Sequence, residues 1–251
     1  MKPIILLLAF LLSQNLAAHE EFVQSVVNHG HYLKKMSVKS FGDLRLIRDN
    51  KLTQSFPYSS IRANDLYGIG MPKGLDSELM ITSGDLYEGK FDDRVYSTGR
   101  VKKDRDIAFL AYANVKSWQT VPVPDGITTF SQLEEALPGI AQKAGINTSV
   151  PFPFLLRSKV EGLKWFIVNG MGNGKPDYLS SFLRSRYIGG LDDAEIEGMG
   201  FYSDKHRGVI SAPNSSMHIH FRTLNKPLFV GHIDNVMILA KGAELLFPVD
   251  K

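Results

Sequence analysis

Two histidines near the C-terminal end of the chain have a spacing that suits metal binding. His218 and His220 flank Ile219 in the segment 217–221, in which apolar residues alternate with histidine. As a β-strand, this segment sends both imidazoles to one face, with backbone positions roughly 7 Å apart. Two imidazoles at that spacing can reach one ion at about 2 Å from each nitrogen. The alternation therefore predicts that both histidines bind the same metal ion.

A third histidine follows at a suitable place. The turn signal Asn225–Pro227 precedes an apolar run that contains His232, which predicts a strand returning beside the first. Gly231 would allow a close backbone approach there. Three histidines leave coordination positions open, as in catalytic zinc sites, although another divalent metal would also suit them. Spacing alone leaves the alternative open that these histidines are neighbours by chance.

The elements that must position these histidines are mostly strands. Period-two patterns predict strands at 78–82, 107–112, 154–160 and 164–168. Thr129 can cap a helix that runs to Leu137, before Pro138 and Gly139, and a second helix is expected at 176–186. Helices are the minority, so the pattern predicts an α+β chain that is rich in β-strands.

Composition and the N-terminus restrict the class and the location of the protein. The 251 residues are 43% hydrophobic and contain no cysteine, so we expect a globular fold without disulfides or thiolate ligands. A net charge of +3 without a basic cluster gives no support to nucleic-acid binding. Lys2, the apolar run 4–12 and the small residues Ala17 and Ala18 predict a signal peptide over residues 1–18. The mature protein is thus expected to be exported, periplasmic or secreted, without a membrane anchor.

Four blocks in shared order make the sequence resemble the α-acetolactate decarboxylases. They resemble the family's Gly-Ile-Gly and Leu-Asp-Gly-Glu stretches, its apolar strand with arginine and glycine, a glycine-rich strand, and its His-Leu-His-Phe and Gly-Gly-His-Val segments. In this chain the blocks are Gly68–Gly70 with Gly74–Ile81 and Gly84–Tyr87, Phe154–Arg157 with Val160–Gly162, Ile196–Phe201, and His218–Phe221 with Gly231–Asp234.

The resemblance implies an architecture and a reaction. Residues 19–251 would form one decarboxylase-like domain of two lobes, divided at roughly 125–150. The N-terminal lobe would hold a mixed sheet, and the C-terminal lobe an antiparallel sheet that carries the metal site. The chain would be a carbon–carbon lyase that converts 2-acetolactate, a 2-hydroxy-3-keto acid, to acetoin and carbon dioxide. A homodimer is compatible with this reading.

The resemblance also implies roles for individual residues. His218, His220 and His232 would hold zinc, which would stabilise the enediolate charge that develops as carbon dioxide leaves. Glu78 would act as a proton-transfer group. Arg157 would bind the carboxylate through its planar guanidinium, or help to deliver the proton that completes acetoin.

Two alternative functions remain open. One is a cupin-like metal oxygenase, which also uses a His-x-His strand and a later histidine. The other is an exported relative of the decarboxylase that binds a metal or a small ligand without catalysis. The second gains from two departures: Met71 stands where the family has threonine, and the chain reaches Lys251 before the family's last acidic residue can be aligned.

Overall fold

The structure, a computed structural model, describes residues 38–45, 54–92, 95–170 and 186–249, and most of them form β-strands. The first seven strands are β1 (Lys39–Phe41), β2 (Phe56–Pro57), β3 (Leu66–Pro72), β4 (Ser77–Thr82), β5 (Asp85–Asp92), β6 (Val95–Arg100) and β7 (Asp106–Asn114). The next are β8 (Trp118–Pro122), β9 (Phe152–Ile167), β10 (Tyr187–Leu191), β11 (Ala194–Tyr202), β12 (Met217–Thr223), β13 (Val230–Leu239) and β14 (Glu244–Pro248). The helix α1 spans Phe130–Lys143. The strands predicted at 78–82, 107–112, 154–160 and 164–168 are present, the last two as parts of β9, and the two strands predicted to carry the histidines are β12 and β13.

The first sheet contains β1 to β7 in the order β1-β7-β3-β4-β5-β6, with β2 also on β7. The prediction of a mixed sheet is wrong, because every strand pairing among the described residues is antiparallel. The reason lies in the short connections. Only Ser83 and Gly84 separate β4 from β5, both at positive φ, and a two-residue turn can join only antiparallel neighbours.

The second sheet contains β8 to β14 and closes on itself through its longest strand. The first half of β9 pairs with β11, and its second half pairs with β13. Since β12 pairs with both β11 and β13, these four strands form a ring of pairings. Trp165 is fully buried in the apolar core of this sheet. A methyl group on Gly231 would lie 2.7 Å from a carbon of its ring, so the expected close approach at Gly231 is confirmed.

Helix α1 begins where the sequence predicts and continues further than expected. Thr129 and Gln132 form a capping box at its start. The predicted end before Pro138 is wrong, because the helix includes this proline and continues to Lys143. Leu133, Leu137 and Ala141 lie fully buried on one face of the helix, and this packing outweighs the hydrogen bond that proline cannot donate.

The two sheets share a second apolar cluster. It includes Met71, Met80 and Phe109 of the first sheet with Met199 and Val230 of the second. The chain passes from the first sheet to the second between β7 and β8. The lobe boundary at 125–150 stays a prediction.

Several expectations fall outside the described residues. They are the signal peptide over residues 1–18 and all but the last residue of the helix at 176–186. Within the described ranges, no helix is long and apolar enough to cross a bilayer.

Candidate metal centre

The three histidines converge between the two sheets. The alternation of β12 directs His218 and His220 toward the first sheet, while Ile219 packs in the core of the second. His232 on β13 is the direct cross-strand partner of His220. His218 and His220 are buried, at 4% and 0% exposure, and His232 is half-buried.

Backbone carbonyls set the orientation of two of the rings. Nδ1 of His218 lies 2.6 Å from the carbonyl oxygen of Ile210, and Nδ1 of His220 lies 2.7 Å from that of Leu79. A carbonyl oxygen only accepts, so each Nδ1 carries the hydrogen and donates it. The Nε2 atom of both rings therefore presents a lone pair to the centre, as in histidines that bind metals.

The inward-facing nitrogens have the spacing of ligands around one ion. Nε2 of His218 lies 3.0 Å from Nε2 of His220 and 3.1 Å from Nδ1 of His232. The first contact joins two acceptors, so it cannot be a hydrogen bond. A tetrahedral zinc site with zinc–nitrogen bonds of 2.0–2.1 Å requires nitrogens about 3.3 Å apart. The donor set thus fits a zinc-sized cation, and all three ligand atoms lie within 4.8 Å of one another.

Glu78 lies on the first-sheet side of this cluster. Its Oε1 accepts a hydrogen bond of 3.3 Å from the backbone nitrogen of Val168. Its Oε2 lies 3.3 Å from Nε2 of His220 and has no hydrogen-bond partner among the described residues. The residue is only 1% exposed. An unpartnered buried carboxylate oxygen is costly, and a cation beside it would remove that cost.

Burial governs the electrostatics of the centre. It lowers the pKa of His218 to about 4 and the pKa values of His220 and His232 well below their usual range, so all three rings are neutral, the form that binds metals. Burial also raises the pKa of Glu78, against the opposing effects of the Val168 hydrogen bond and the charge of Arg186.

Apolar and aromatic side chains surround the histidines. The ring of Phe166 is stacked 4.2 Å from that of His232, and Phe109 lies 6.0 Å from His218. Met199 is the cross-strand partner of His220. Such walls keep the local dielectric low, which strengthens every electrostatic interaction with a bound ligand.

Arg157 lies in a separate group of charges, the arginine cluster, which consists of Arg157, Arg222, Glu197 and Thr82. The guanidinium of Arg157 donates two bonds of 3.1 Å to one carboxylate oxygen of Glu197, and Arg222 donates bonds of 3.3 and 3.1 Å to the other. Thr82 also donates to Glu197. Arg157, Glu197 and Arg222 occupy one cross-strand row of the second sheet, next to the row of His220.

Strand geometry gives the separation between the arginine cluster and the metal centre. Arg222 lies two residues from His220 on β12, about 7 Å along the strand, whereas Thr82 lies four residues from Glu78 on β4, about 13 Å along that strand. The structure thus brings the three histidines and Glu78 together and places the carboxylate partner of Arg157 near the other end of β4.

Sequence reasoning missed Glu197, Arg222 and Arg186. Glu197 is a buried charge in a strand whose only other charged residue is the exposed Glu195, a signal that could have marked it. Arg222 follows His220 by two residues, so strand alternation places it on the same face. Arg186 belonged to a predicted helix, and nothing in its local pattern indicated that it lies near the histidines.

A buried three-histidine cluster between two antiparallel sheets defines a β-rich protein with a candidate metal centre. The family model described as alpha-acetolactate decarboxylase matches residues 41–245. The chain belongs to the alpha-acetolactate decarboxylase family. A comparison with curated proteins finds no match.

Solved structures of decarboxylases have the same fold at low sequence identity. Acetolactate decarboxylase from Bacillus subtilis subspecies spizizenii has a TM-score of 0.66 at 15% identity, over 85% of this chain and 86% of that chain. The enzyme from Bacillus subtilis strain 168 has a TM-score of 0.65 at 14% identity, over 85% of each chain. A protein of unknown function from Staphylococcus aureus, similar to alpha-acetolactate decarboxylase, has a TM-score of 0.61 at 12% identity, over 85% of this chain and 86% of that chain.

Proposed function

We propose that this protein is a metal-dependent carbon–carbon lyase that converts 2-acetolactate to acetoin and carbon dioxide. The observation that carries the proposal is the convergence of three histidine nitrogens beside Glu78. Membership in the alpha-acetolactate decarboxylase family indicates which reaction such a centre would serve.

The metal would be held by Nε2 of His218, Nε2 of His220 and Nδ1 of His232. Zinc is the ion that we propose, because neutral nitrogen ligands at this spacing suit it. When bound, the ion would supply Lewis-acid stabilisation to the oxygen that becomes negative as carbon dioxide leaves. The carbonyls of Ile210 and Leu79 would keep two of the ligand rings in the required orientation.

The reaction breaks one carbon–carbon bond and forms one carbon–hydrogen bond. The electrons of the bond to the carboxylate move toward the neighbouring ketone, and carbon dioxide leaves. The carbon that lost the carboxylate then takes up a proton. Oε2 of Glu78 is the group that we propose to deliver this proton, since it faces the cluster and is shielded from water.

The role of Arg157 stays a prediction. Its guanidinium is bound to Glu197, and the side chain is 48% exposed. If Arg157 binds the substrate carboxylate, it must do so while Glu197 remains its partner or after it exchanges that partner.

A metal-binding relative without turnover is the second candidate. Met71 favours this candidate. It stands where the family has threonine, it is buried in the cluster between the sheets, and it cannot donate a hydrogen bond. The cupin-like oxygenase receives no support from the family match.

Acetoin release separates these candidates. Zinc-loaded protein would be incubated with racemic 2-acetolactate, with chelator-treated protein and His220→Ala as controls. We expect acetoin formation well above the spontaneous rate only with the loaded wild-type protein. Release at the spontaneous rate from loaded protein would favour the metal-binding relative.

We also propose that the protein is exported after cleavage of residues 1–18, from the charged, apolar and small-residue order of that segment. Mass spectrometry of the mature N-terminus after cell fractionation would test this. An uncleaved N-terminus in the cytoplasmic fraction would contradict it. The homodimer stays a prediction, which light scattering would test by measuring the molar mass in solution.

A further inference from the structure

Arg222 is a basic residue on the strand that carries two of the proposed metal ligands. It follows His220 by two residues on β12, so strand alternation puts both side chains on the same face. Its direct neighbours across the sheet are Glu197 on β11 and Val230 on β13. Arg222 therefore occupies the next side-chain position from the metal centre along β12, about 7 Å from His220 at the backbone.

Contacts from both sheets hold the guanidinium of Arg222 in place. Its Nε and Nη2 donate bonds of 3.3 and 3.1 Å to one carboxylate oxygen of Glu197. The ring of Tyr87, from the first sheet, has its centroid 4.8 Å from the guanidinium carbon, a cation–π distance. Among the described residues, only Nε and Nη2 of Arg222 form hydrogen bonds. The donors of Nη1 are thus available in a guanidinium whose plane is already fixed.

The arginine cluster carries more positive than negative charge. Arg157 and Arg222 share the single carboxylate of Glu197, which leaves one positive charge in excess. Glu244 is the other cross-strand neighbour of Arg157, but it is exposed and forms no ion pair with that arginine. The side chain of Arg222 is 24% exposed, so water screens its charge less than that of a surface arginine. The cluster can therefore attract an anion.

We propose that Arg222 binds the carboxylate of the substrate through Nη1, and that Glu197 and Tyr87 position its guanidinium for this task. The inference rests on the proposed function for its substrate class, a 2-hydroxy acid with a ketone at the next carbon. It assigns to Arg222 the task that the resemblance gives to Arg157.

The dimensions of the substrate agree with this position. In 2-acetolactate the carboxylate is attached to the carbon that bears the hydroxyl, next to the ketone. If the hydroxyl and ketone oxygens lie about 2 Å from the metal, covalent bond lengths put the carboxylate carbon roughly 4 Å from it. A hydrogen bond adds about 3 Å, so the donor should lie about 7 Å from the metal. This distance is comparable to the step from His220 to Arg222.

Strand order favours Arg222 over Arg157. Arg157 lies on β9, and β11 separates that strand from β12 in this row. Two strand spacings amount to about 10 Å across the sheet, in addition to the 7 Å along it. The side chain of Arg157 is also 48% exposed, twice the exposed fraction of Arg222. A substrate held at the histidines therefore meets Arg222 first.

The timing of charge movement predicts which kinetic constant depends on Arg222. The carboxylate is fully charged in the bound substrate and loses its charge as carbon dioxide forms. An arginine on this carboxylate stabilises the bound ground state at least as much as the transition state. Loss of Arg222 should therefore raise KM strongly and change kcat little.

The test compares a charged ligand with a neutral one on zinc-loaded protein. The charged ligand is 2,3-dihydroxy-2-methylbutanoate, in which a hydroxyl replaces the ketone so that carbon dioxide cannot leave, and the neutral one is its amide. Calorimetry would measure both on wild type, Arg222→Gln, Arg222→Lys and Arg157→Gln. Arg100→Gln is the matched control, since it removes the same charge from an exposed arginine paired with Asp85. Metal content and melting temperature of each variant would be recorded alongside.

We expect Arg222→Gln to weaken binding of the acid roughly tenfold or more, with the affinity for the amide and the metal content unchanged. Arg222→Lys should give an intermediate loss, because lysine keeps the charge without the planar fork. Arg157→Gln and Arg100→Gln should keep most of the preference for the acid. If Arg222→Gln fails to fold, the Lys variant decides.

Two results would overturn the inference. One is an unchanged preference for the acid in the folded Arg222 variant. The other is a preference that Arg157→Gln abolishes and the folded Arg222 variant keeps, which would return the task to Arg157.

Failure of the proposed function would look different. If loaded wild-type protein released no acetoin but bound the acid through Arg222, the decarboxylase proposal would fail and the anion site would stand. A wild-type protein that bound acid and amide equally would overturn the inference whatever its acetoin yield.

Discussion

Oε2 of Glu78 lies 3.3 Å from Nε2 of His220, and both side chains are almost completely buried. Glu78 belongs to the first sheet and His220 to the second, so the two sheets contribute the acid and a ligand to one centre. Since Nδ1 of His220 donates to Leu79, its Nε2 has a lone pair and no hydrogen for Glu78. The pair therefore needs a cation or a proton between its members.

Removal of one ligand should abolish metal binding. We expect His220→Ala to purify with almost no zinc, compared with about one ion per chain in wild type. Two histidine ligands alone bind zinc too weakly to retain it during dialysis. Elemental analysis after dialysis measures this. His206→Ala is the control, since His206 bonds Ser203 outside the cluster. Equal zinc content in His220→Ala and wild type would rule this site out.

Glu78→Gln should separate metal binding from chemistry. Glutamine has nearly the same shape but cannot deliver a proton, so we expect zinc content to persist while the acetoin rate falls by about 10²–10⁴-fold. Initial rates with 2-acetolactate measure this. Glu135→Gln, on the exposed side of α1, should keep the wild-type rate. A Glu78→Gln rate within threefold of wild type would remove Glu78 from the proposed reaction.

Two glycine substitutions should have opposite effects on stability. Gly231→Ala places a methyl group 2.7 Å from the ring of Trp165, and we expect a cost of about 1–3 kcal/mol with weaker zinc binding at the adjacent His232. Gly139→Ala meets no atom within 4 Å and lies in α1, so it should stabilise by about 0.5–1 kcal/mol. Urea unfolding measures both. Equal stability of the two variants would contradict the packing at Trp165.

Tyr58 should make stability depend on pH in alkaline solution. Burial raises its pKa to about 12, and its hydroxyl donates to the carbonyl of Gly84 over 2.9 Å. The folded state thus keeps this proton to higher pH than the unfolded state. Its contribution is complete below pH 10 and is lost as the pH rises from 10 to 12, by about 2–3 kcal/mol. Tyr58→Phe should lack this part of the pH dependence in parallel unfolding curves. Identical slopes for the two proteins would show that Tyr58 ionises as easily when folded as when unfolded.

The parts of the fold that depend on local pattern could be predicted from the sequence. Alternation around Ile219 is enough to place His218 and His220 on one face, and the turn before His232 is enough to bring back a third ligand. Strand direction could not be predicted in the same way, because it depends on which strands become neighbours. The mixed sheet was therefore wrong although its strands were right.

Residues whose position depends on cross-strand register escaped prediction. Arg186 reaches the centre only because Tyr187 pairs with Ile167, and Glu197 meets Arg157 only because β11 pairs with β9. The length of α1 was missed for a related reason. The burial of Ala141 beyond Pro138 depends on a core that the local sequence does not reveal.

Because of the hydrogen bond from His220 to the carbonyl of Leu79, a short peptide would not reproduce the centre. The hairpin of β12 and β13 contains all three ligands, yet the acceptor that orients His220 comes from the other sheet. A peptide of residues 217–233 would leave that ring free to rotate and to change its tautomer. If the proposed site binds metal, its affinity would therefore depend on the contact between the two sheets, and a change in affinity would report on the stability of that contact.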